Sequence, residues 1–217
     1  MTSLLPWSFC YNLFVVERLR HVHRIRQSSI EHGFRQAFKQ DRWILDRLDE
    51  MDPKLRKHHI NTAYGSMCLA QFQSLPAYLV IKATQAGLVH DDGKRQIPRE
   101  ILDKRGDLSE SEWVIMNTHV DIGARPLFQH DKTVAEIVQA HGDQYSIIPP
   151  EGLNGQLPLY LAKRSHALAD QVDALMSKRS YKPAFSPAIT RAILREKKQF
   201  PDELIDFAIA TREEIAY

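Results

Sequence analysis

Apolar residues recur along most of this chain at helical rather than alternating spacing, which predicts an all-α fold. The breaks between the apolar segments carry residues that begin helices. Ser109 with Glu112 forms a capping-box pattern, in which each side chain satisfies a backbone amide at the helix start. Further starts are marked by prolines that suit a first helical turn: Pro98, Pro158, Pro187 and Pro201. One long loop is expected between Gly142 and Gln156.

One predicted helix ends in a run of polar residues. The segment from Ser74 to Val89 stays mostly apolar up to the pentapeptide HDDGK at positions 90–94. A buried helix would therefore deliver His90 and Asp91, whose nitrogen and oxygen donors suit iron, manganese or zinc better than calcium. Lys94 could neutralise a phosphate oxygen beside such a metal. The combination points to metal-dependent phosphoester chemistry.

Two ligands do not complete a metal site, so further donors are needed. A carboxylate such as Asp91 can bridge two metals, which together hold a hydroxide for in-line attack on phosphorus. Any one further histidine or aspartate is more often a surface or hydrogen-bonded residue than a ligand, so the prediction depends on the ordered set. The candidates arrive from separate predicted helices, as in metal sites inside helical bundles: His58 or His59, His119, His141 and Asp170.

Composition and charge narrow the class of protein. The chain has 217 residues, of which 43% are hydrophobic and 26% charged, as expected for one soluble globular domain with an extension. The formal net charge of +2 gives no ground for a nucleic-acid partner. Cys10 and Cys68 alone make no disulfide framework, so a reducing compartment fits and we predict a cytoplasmic, bacterial-type location.

The N-terminal part of the chain carries no catalytic pattern. The apolar run from Leu4 to Val16 is too short to span a bilayer and lacks the basic start of a signal peptide, so no transmembrane segment is expected. We predict that it begins a helix that packs on the body of the protein or forms a homodimer. Membrane-surface contact through the arginine-rich segment from Arg18 to Arg26 is one alternative, and nucleic-acid binding is a weaker one.

Two longer strings resemble a known family. The first, HDDGKRQIPREILDKRGDLSESEWVIMNTHVDIGA, covers residues 90–124, and the second, EGLNGQLPLYLAKRSHALADQVDALMSKRSYK, covers residues 151–182. In order and spacing they are similar to the HD-GYP domains, a branch of the HD metal-dependent phosphohydrolases. The resemblance extends over roughly residues 59–210. It implies an HD-domain-like helical bundle at residues 58–217, preceded by a helical extension at residues 1–57.

The resemblance also implies two metal sites, with iron or manganese as the expected ions. The first would be formed by His59, His90, Asp91 and Asp170, with His58 as the neighbour that competes for the role of His59. The second would share Asp91 with His119 and His141. Here the chain departs from the family, because Ala140-His141-Gly142 replaces a His-His-Glu segment. We therefore expect one strong site and a weakened second one, with Asp143 or water as substitutes for the missing ligand.

The substrate implied by the resemblance is cyclic di-GMP, opened by attack of a metal-bound hydroxide. Asp91 and Lys94 would carry the catalytic step, and Lys94, Arg179 and Lys182 would contact phosphate. The family's Gly-Tyr-Pro motif falls on Ile148-Pro149-Pro150, so only its last proline remains. Two hypotheses therefore stand at this point: a phosphodiesterase for cyclic di-GMP or another phosphoester, or a degenerate module that binds a nucleotide or a signalling-protein partner.

Overall fold

The computed structural model describes residues 25–142, 145–178 and 183–216. Helices make up most of these residues, which confirms the predicted all-α class. A 3₁₀ helix (Asp92–Gln96) lies between the fourth and fifth α-helices. In chain order the other elements are β1 (Ile25–Arg26), α1 (Gln27–Ala37), α2 (Arg42–Glu50), α3 (Pro53–Phe72), α4 (Ala77–Val89), α5 (Arg99–Leu102), α6 (Glu110–Leu127), α7 (Lys132–Gln139), α8 (Leu157–Met176), α9 (Pro187–Glu196), α10 (Asp202–Glu213) and β2 (Ile215–Ala216).

The helix starts follow the sequence signals. The capping box before α6 is present, with the Ser109 hydroxyl accepting from the Glu112 amide and the Glu112 carboxylate accepting from the Ser109 amide. Prolines occupy the first turns of α8 and α9, as predicted. At α3 the Asp52 carboxylate accepts from two first-turn amides, which were not anticipated from the sequence.

Helix α3 is the centre of the fold and packs against both α4 and α8. Its approach to α4 is close, because a Cβ placed on Gly87 would lie 2.4 Å from Cα of Ala63. The core around it is apolar and closed, with Ile60, Leu79 and Leu88 among its fully buried side chains. The three helices that carry His58, His90 and Asp170 are thus direct neighbours.

The described part of the N-terminal region packs into this same core. Ile30 and Phe34 of α1 and Ile44 and Leu48 of α2 belong to the apolar cluster around α3 and α4. The division predicted after residue 57 falls inside α3. Strand β1 pairs in parallel with β2, which joins the residues before α1 to the end of the chain. Residues 1–24, on which the predictions of an N-terminal packing helix, a dimer and membrane-surface contact depend, lie outside the described residues.

A second apolar cluster is formed by α8, α9 and α10 around Leu168, Leu194 and Phe200. Within the described ranges, none of the helices combines the length and apolarity that crossing a bilayer requires.

Candidate metal centre

Five of the predicted ligands meet in one buried cluster. His90 directly follows the last residue of α4 and Asp91 comes next, so the buried helix delivers both as expected. His119 comes from the middle of α6, His141 from the turn after α7, and Asp170 from α8. Separate helices therefore contribute the donors, as in metal sites built inside helical bundles.

The first group of donors consists of His58, His90, Asp91 and Asp170. His58 Nε2 lies 3.0 Å from Asp170 Oδ1 and 3.3 Å from His90 Nε2. His90 Nε2 lies 3.5 Å from both Asp91 Oδ2 and Asp170 Oδ1. The four side chains thus direct their donor atoms at a common point.

The second group consists of Asp91, His119 and His141. Oδ1 of Asp91 lies 3.2 Å from His119 Nε2 and 3.8 Å from His141 Nε2, and the two imidazole nitrogens lie 3.2 Å apart. Because Asp91 directs Oδ2 at the first group and Oδ1 at the second, its carboxylate is shared. We refer to the two groups together as the metal centre.

The protonation of the rings decides what these short distances mean. His119 and His141 each donate the Nδ1 proton to a backbone carbonyl, of Met116 and Val138 respectively. A carbonyl only accepts, so in the neutral rings Nε2 carries a lone pair. His90 is arranged likewise. Two lone pairs 3.2 Å apart repel unless a cation or a shared proton lies between them, and donation of the second ring nitrogen to a carbonyl or carboxylate is the usual arrangement of metal-binding histidines.

The spacing of the donors fits a metal as well. Nitrogen ligands about 2.1 Å from an ion lie roughly 3.0–3.4 Å from one another in tetrahedral or octahedral arrangements. The pairs His58–Asp170, His58–His90 and Asp91–His119 fall in that range, at 3.0, 3.3 and 3.2 Å. In addition, Oδ1 of Asp91 is buried without a hydrogen-bond partner among the described residues. A set of imidazole and carboxylate donors with an unsatisfied buried oxygen suits first-row divalent ions.

The surroundings of the cluster shift the pKa values of its carboxyl and imidazole groups. Burial alone would raise the pKa of the Asp91 carboxyl, but Lys94 and His90 hold that pKa well below its usual range. Burial lowers the pKa of His141 below its ordinary value, which keeps that ring neutral. The ring of His58 behaves differently: burial would lower its pKa, but hydrogen bonds to Asp170 and Asp173 outweigh burial and raise it to about 9.

The structure places His58, rather than His59, in the first group. Successive side chains of a helix point about 100° apart, so only one of two adjacent residues can face the cluster. His59 is fully buried, and its Nδ1 donates to the carbonyl of Leu88 at 2.8 Å. Its ring lies against that of His90, with centroids 4.6 Å apart. His58, rather than His59, is therefore the ring whose Nε2 lies among the other donors, and metal binding by either residue stays a prediction.

A residue that the sequence analysis did not select holds His58 in place. The Nδ1 proton of His58 is donated to Oδ2 of Asp173, which lies three residues after Asp170 on α8. The other oxygen of Asp173 accepts from Asn61 at 2.8 Å and from Arg212 at 2.5 Å. The pattern Asp170-x-x-Asp173 on a predicted helix was the available signal, since residues three apart lie on one face.

The second omission is His166, one turn before Asp170 on α8. Its ring is fully buried and lies 5.2 Å, centroid to centroid, from that of His90. An i, i+4 relation to Asp170 was the only signal for it in the sequence.

The predicted phosphate contacts are resolved only in part. Lys94 forms an ion pair with Oδ2 of Asp91 and keeps 22% of its side chain exposed. Arg179 and Lys182 lie outside the described residues, and so does Asp143. Ala140, at which the resemblance implies an imidazole, directly follows α7 and is buried.

The HDDGK turn also contacts α6 through the main chain. A Cβ placed on Gly93 would lie 2.0 Å from the carbonyl oxygen of His119 and 2.7 Å from the amide nitrogen of Gly123. Only glycine permits this approach without displacement of α6.

Comparison with known proteins agrees with the geometry. The HD domain family matches residues 42–202 of this chain. A cyclic di-GMP phosphodiesterase of Pseudomonas aeruginosa is 33% identical over 148 residues, which make up 66% of this chain and 36% of that relative. One of Vibrio cholerae is 37% identical over 131 residues, or 56% of this chain and 26% of that relative. One of Thermotoga maritima is 28% identical over 182 residues, or 73% of this chain and 49% of that relative.

The chain spans about a quarter to a half of the length of these curated relatives. The family match, in contrast, extends from α2 to the start of α10 and includes every donor of the metal centre. The chain therefore belongs to the HD domain family, and these relatives support its predicted place in the HD-GYP branch.

Proposed function

We propose that this chain is a metal-dependent phosphodiesterase that acts on cyclic di-GMP or a related phosphoester. The observation that carries the proposal is the convergence of imidazole lone pairs on the shared carboxylate of Asp91. The first group would hold one ion through His58, His90, Asp91 and Asp170, and the second group another through Asp91, His119 and His141. Iron or manganese is the proposed metal, in line with the resemblance, and the nitrogen and oxygen donors are compatible with either ion.

When bound, divalent ions would supply Lewis-acid activation of the phosphoryl group and of the attacking water. Two of the chain's own residues, Asp91 and Lys94, have defined roles. Asp91 presents both oxygens to the centre, and its lowered pKa keeps it ionised at neutral pH. The Lys94 ammonium lies beside Asp91 and pairs with it. When a metal ion binds Asp91, this ammonium would be available to neutralise a phosphate oxygen.

A substrate could reach the centre from one edge. Among the donors, His90 and Asp91 are almost completely enclosed, whereas Asp170 and His58 keep 20% and 13% of their side chains exposed. Lys94 is exposed to a similar extent. This edge therefore offers two metal donors and one cation to an approaching phosphate.

The choice of cyclic di-GMP as substrate rests on the curated relatives, which are named cyclic di-GMP phosphodiesterases. Others among the relatives are named 3'3'-cGAMP-specific phosphodiesterases, so a second cyclic dinucleotide belongs in the same assay. Arg179 and Lys182 remain proposed phosphate contacts. A cytoplasmic location, a signalling-protein partner and a homodimer remain predictions as well.

The test pairs metal content with turnover in the same samples. Protein purified without chelator is analysed for bound elements, then assayed on cyclic di-GMP and on 3'3'-cGAMP with added iron or manganese. Asp91→Ala should lose both metal and turnover, because it removes the oxygens that both groups share. Asp92→Ala is the matched control, since the adjacent carboxylate pairs with Arg47 and Arg95 outside the centre.

The outcomes separate the two hypotheses of the sequence analysis. Bound metal with turnover that depends on Asp91 supports the proposal. Hydrolysis that survives Asp91→Ala would contradict it. Bound metal without turnover on either dinucleotide would favour the binding module instead.

A further inference from the structure

His166 is a buried histidine to which neither the resemblance nor the proposed mechanism gives a role. It lies on α8, four residues before Asp170, so both side chains occupy the same face of the helix. Its ring is fully enclosed, yet Nε2 has no hydrogen-bond partner among the described residues. An unpartnered polar atom in a closed core costs stability, and such an atom calls for an explanation.

The neighbouring Ser66 shows which nitrogen of His166 carries the proton. The hydroxyl of Ser66 donates its single proton to the Thr62 carbonyl at 2.7 Å. Toward Nδ1 of His166, 3.2 Å away, the same oxygen can only accept. Nδ1 is therefore the protonated nitrogen, and in the neutral ring Nε2 is a lone pair. This is the same arrangement as in His90, His119 and His141.

The position of the ring matches that of the rings already assigned to the metal centre. His58 and His90 in the first group have centroids 5.0 Å apart, and His119 and His141 in the second have centroids 5.2 Å apart. The ring of His166 lies 5.2 Å from His90 and 6.3 Å from His141, so it adjoins one member of each group. The ring planes of these two pairs are nearly perpendicular, at 74° and 75°.

We propose that His166 is a further nitrogen ligand of the metal centre and binds a divalent ion through Nε2. The proposal rests on the proposed function in one respect, namely that the centre binds metal. Ala140 leaves the second group with one imidazole fewer than the resemblance implies. His166 would supply a nitrogen from α8, beside one imidazole of each group.

The experiment uses the whole chain, freed of metal by chelation, and two ions as probes. Titration with Mn²⁺, followed by the EPR signal of the free ion, gives the number and affinity of the sites. The visible spectrum of the Co²⁺-loaded protein reports the donor set independently of activity. His166→Leu should weaken at least one Mn²⁺ site by about tenfold or more, since loss of even a supporting residue commonly costs that much. It should also change the Co²⁺ spectrum.

The same variant separates a ligand from an ordinary core residue. Leucine removes an unpartnered buried nitrogen, and Ser66 keeps its hydrogen bond to Thr62 when the longer one from His166 is lost, so the denaturation midpoint of the metal-free protein should stay the same or rise. Thr190→Val is the matched control, because the buried hydroxyl of Thr190 on α9 also lacks a partner among the described residues. That substitution should leave Mn²⁺ affinity and the Co²⁺ spectrum unchanged. If His166→Leu does not fold, His166→Gln replaces it in the same Mn²⁺ titration.

Three results are distinguishable. Weakened binding in the His166 variant, with normal binding in the Thr190 control, supports the assignment. If the wild-type protein and the His166 variant bind Mn²⁺ equally well and have the same Co²⁺ spectrum, the assignment of His166 is overturned. The proposal that the centre binds metal is then retained. Wild-type protein that binds neither ion overturns the assignment and the proposed function together.

Discussion

His58 donates its Nδ1 proton to Oδ2 of Asp173 across 2.7 Å, and this bond determines which way the ring faces. Asp173 is itself fixed from the opposite side by Arg212 on α10 and by Asn61 on α3. A carboxylate behind a histidine orients the ring and raises its basicity as a metal ligand. The first group thus depends on Asp173, although Asp173 is not one of its donors.

Asp173→Asn should weaken metal binding to the first group by about 10–100-fold, because the ring of His58 loses its anionic acceptor. It should also cost on the order of 3–5 kcal/mol of unfolding free energy, since it leaves the buried Arg212 guanidinium without its carboxylate. Mn²⁺ titration and chemical denaturation measure the two effects. Asp206→Asn is the control, because the Asp206–Arg191 pair on the surface should contribute less than about 1 kcal/mol. Equal effects of the two substitutions would contradict the orienting role.

The neighbouring histidines should behave differently on substitution. His58→Gln should lower Mn²⁺ affinity by at least about tenfold, because its Nε2 lies among the donors. His59→Gln should retain the Mn²⁺ sites, because the first group, which the ring of His59 adjoins through His90, already has four donors without it. Loss of metal in the His59 variant with retention in the His58 variant would restore the assignment expected from the sequence. Circular dichroism of both variants controls for folding.

Lys94→Met should separate substrate activation from metal binding. The ammonium of Lys94 pairs with the same oxygen of Asp91 that faces the first group, so its removal should leave Mn²⁺ affinity unchanged or higher. Turnover should fall by about 10²–10³, as expected for loss of a group that stabilises charge developing on a phosphate. Arg95→Met is the control, because Arg95 pairs with Glu50 on the surface. A Lys94 variant that loses metal would show a structural role instead.

The metal-free protein should lose stability as the pH rises through about 9. The pKa of His58 is raised from 6.5 to about 9 by Asp170 and Asp173 in spite of burial, so its cationic form is favoured in the folded state. That contribution is fully present below pH 6.5 and disappears as the folded-state pKa is passed. It amounts to at most about 3 kcal/mol.

Chemical denaturation of chelated protein between pH 6 and pH 10 tests this, with His58→Asn measured in parallel. The difference in unfolding free energy between the two proteins should shrink across that interval. A constant difference would mean that His58 is not charged in the folded protein.

Donors that lie at recognisable helix boundaries could be predicted from the sequence. His90 and Asp91 end an apolar helix, and His119 lies within a helix whose capping box is visible in the sequence. Such features depend on local spacing, which a single sequence displays. The same applies to the all-α class and to the helices that begin with proline.

The remaining donors depend on how helices are rotated against one another. Whether His58 or His59 faces the cluster is decided by the packing of α3 on α4 and α8, since the residues from His59 to Tyr64 are all buried and show no exposed face. His166 and Asp173 are equally hidden in the sequence, because α8 is buried around much of its circumference. The hydrophobic pattern of a sequence shows which side of a helix is buried only when the opposite side is exposed to water.

The contact between Gly93 and the His119 carbonyl has a consequence for how this centre can change over evolutionary time. Asp91 and His119 are joined through touching main chains, so the separation of the two groups is a property of the backbone. A side chain within either group, or beside it as at Ala140, can therefore differ without altering the distance between the two groups. The main chain sets that distance, and the donors within each group can change separately from it.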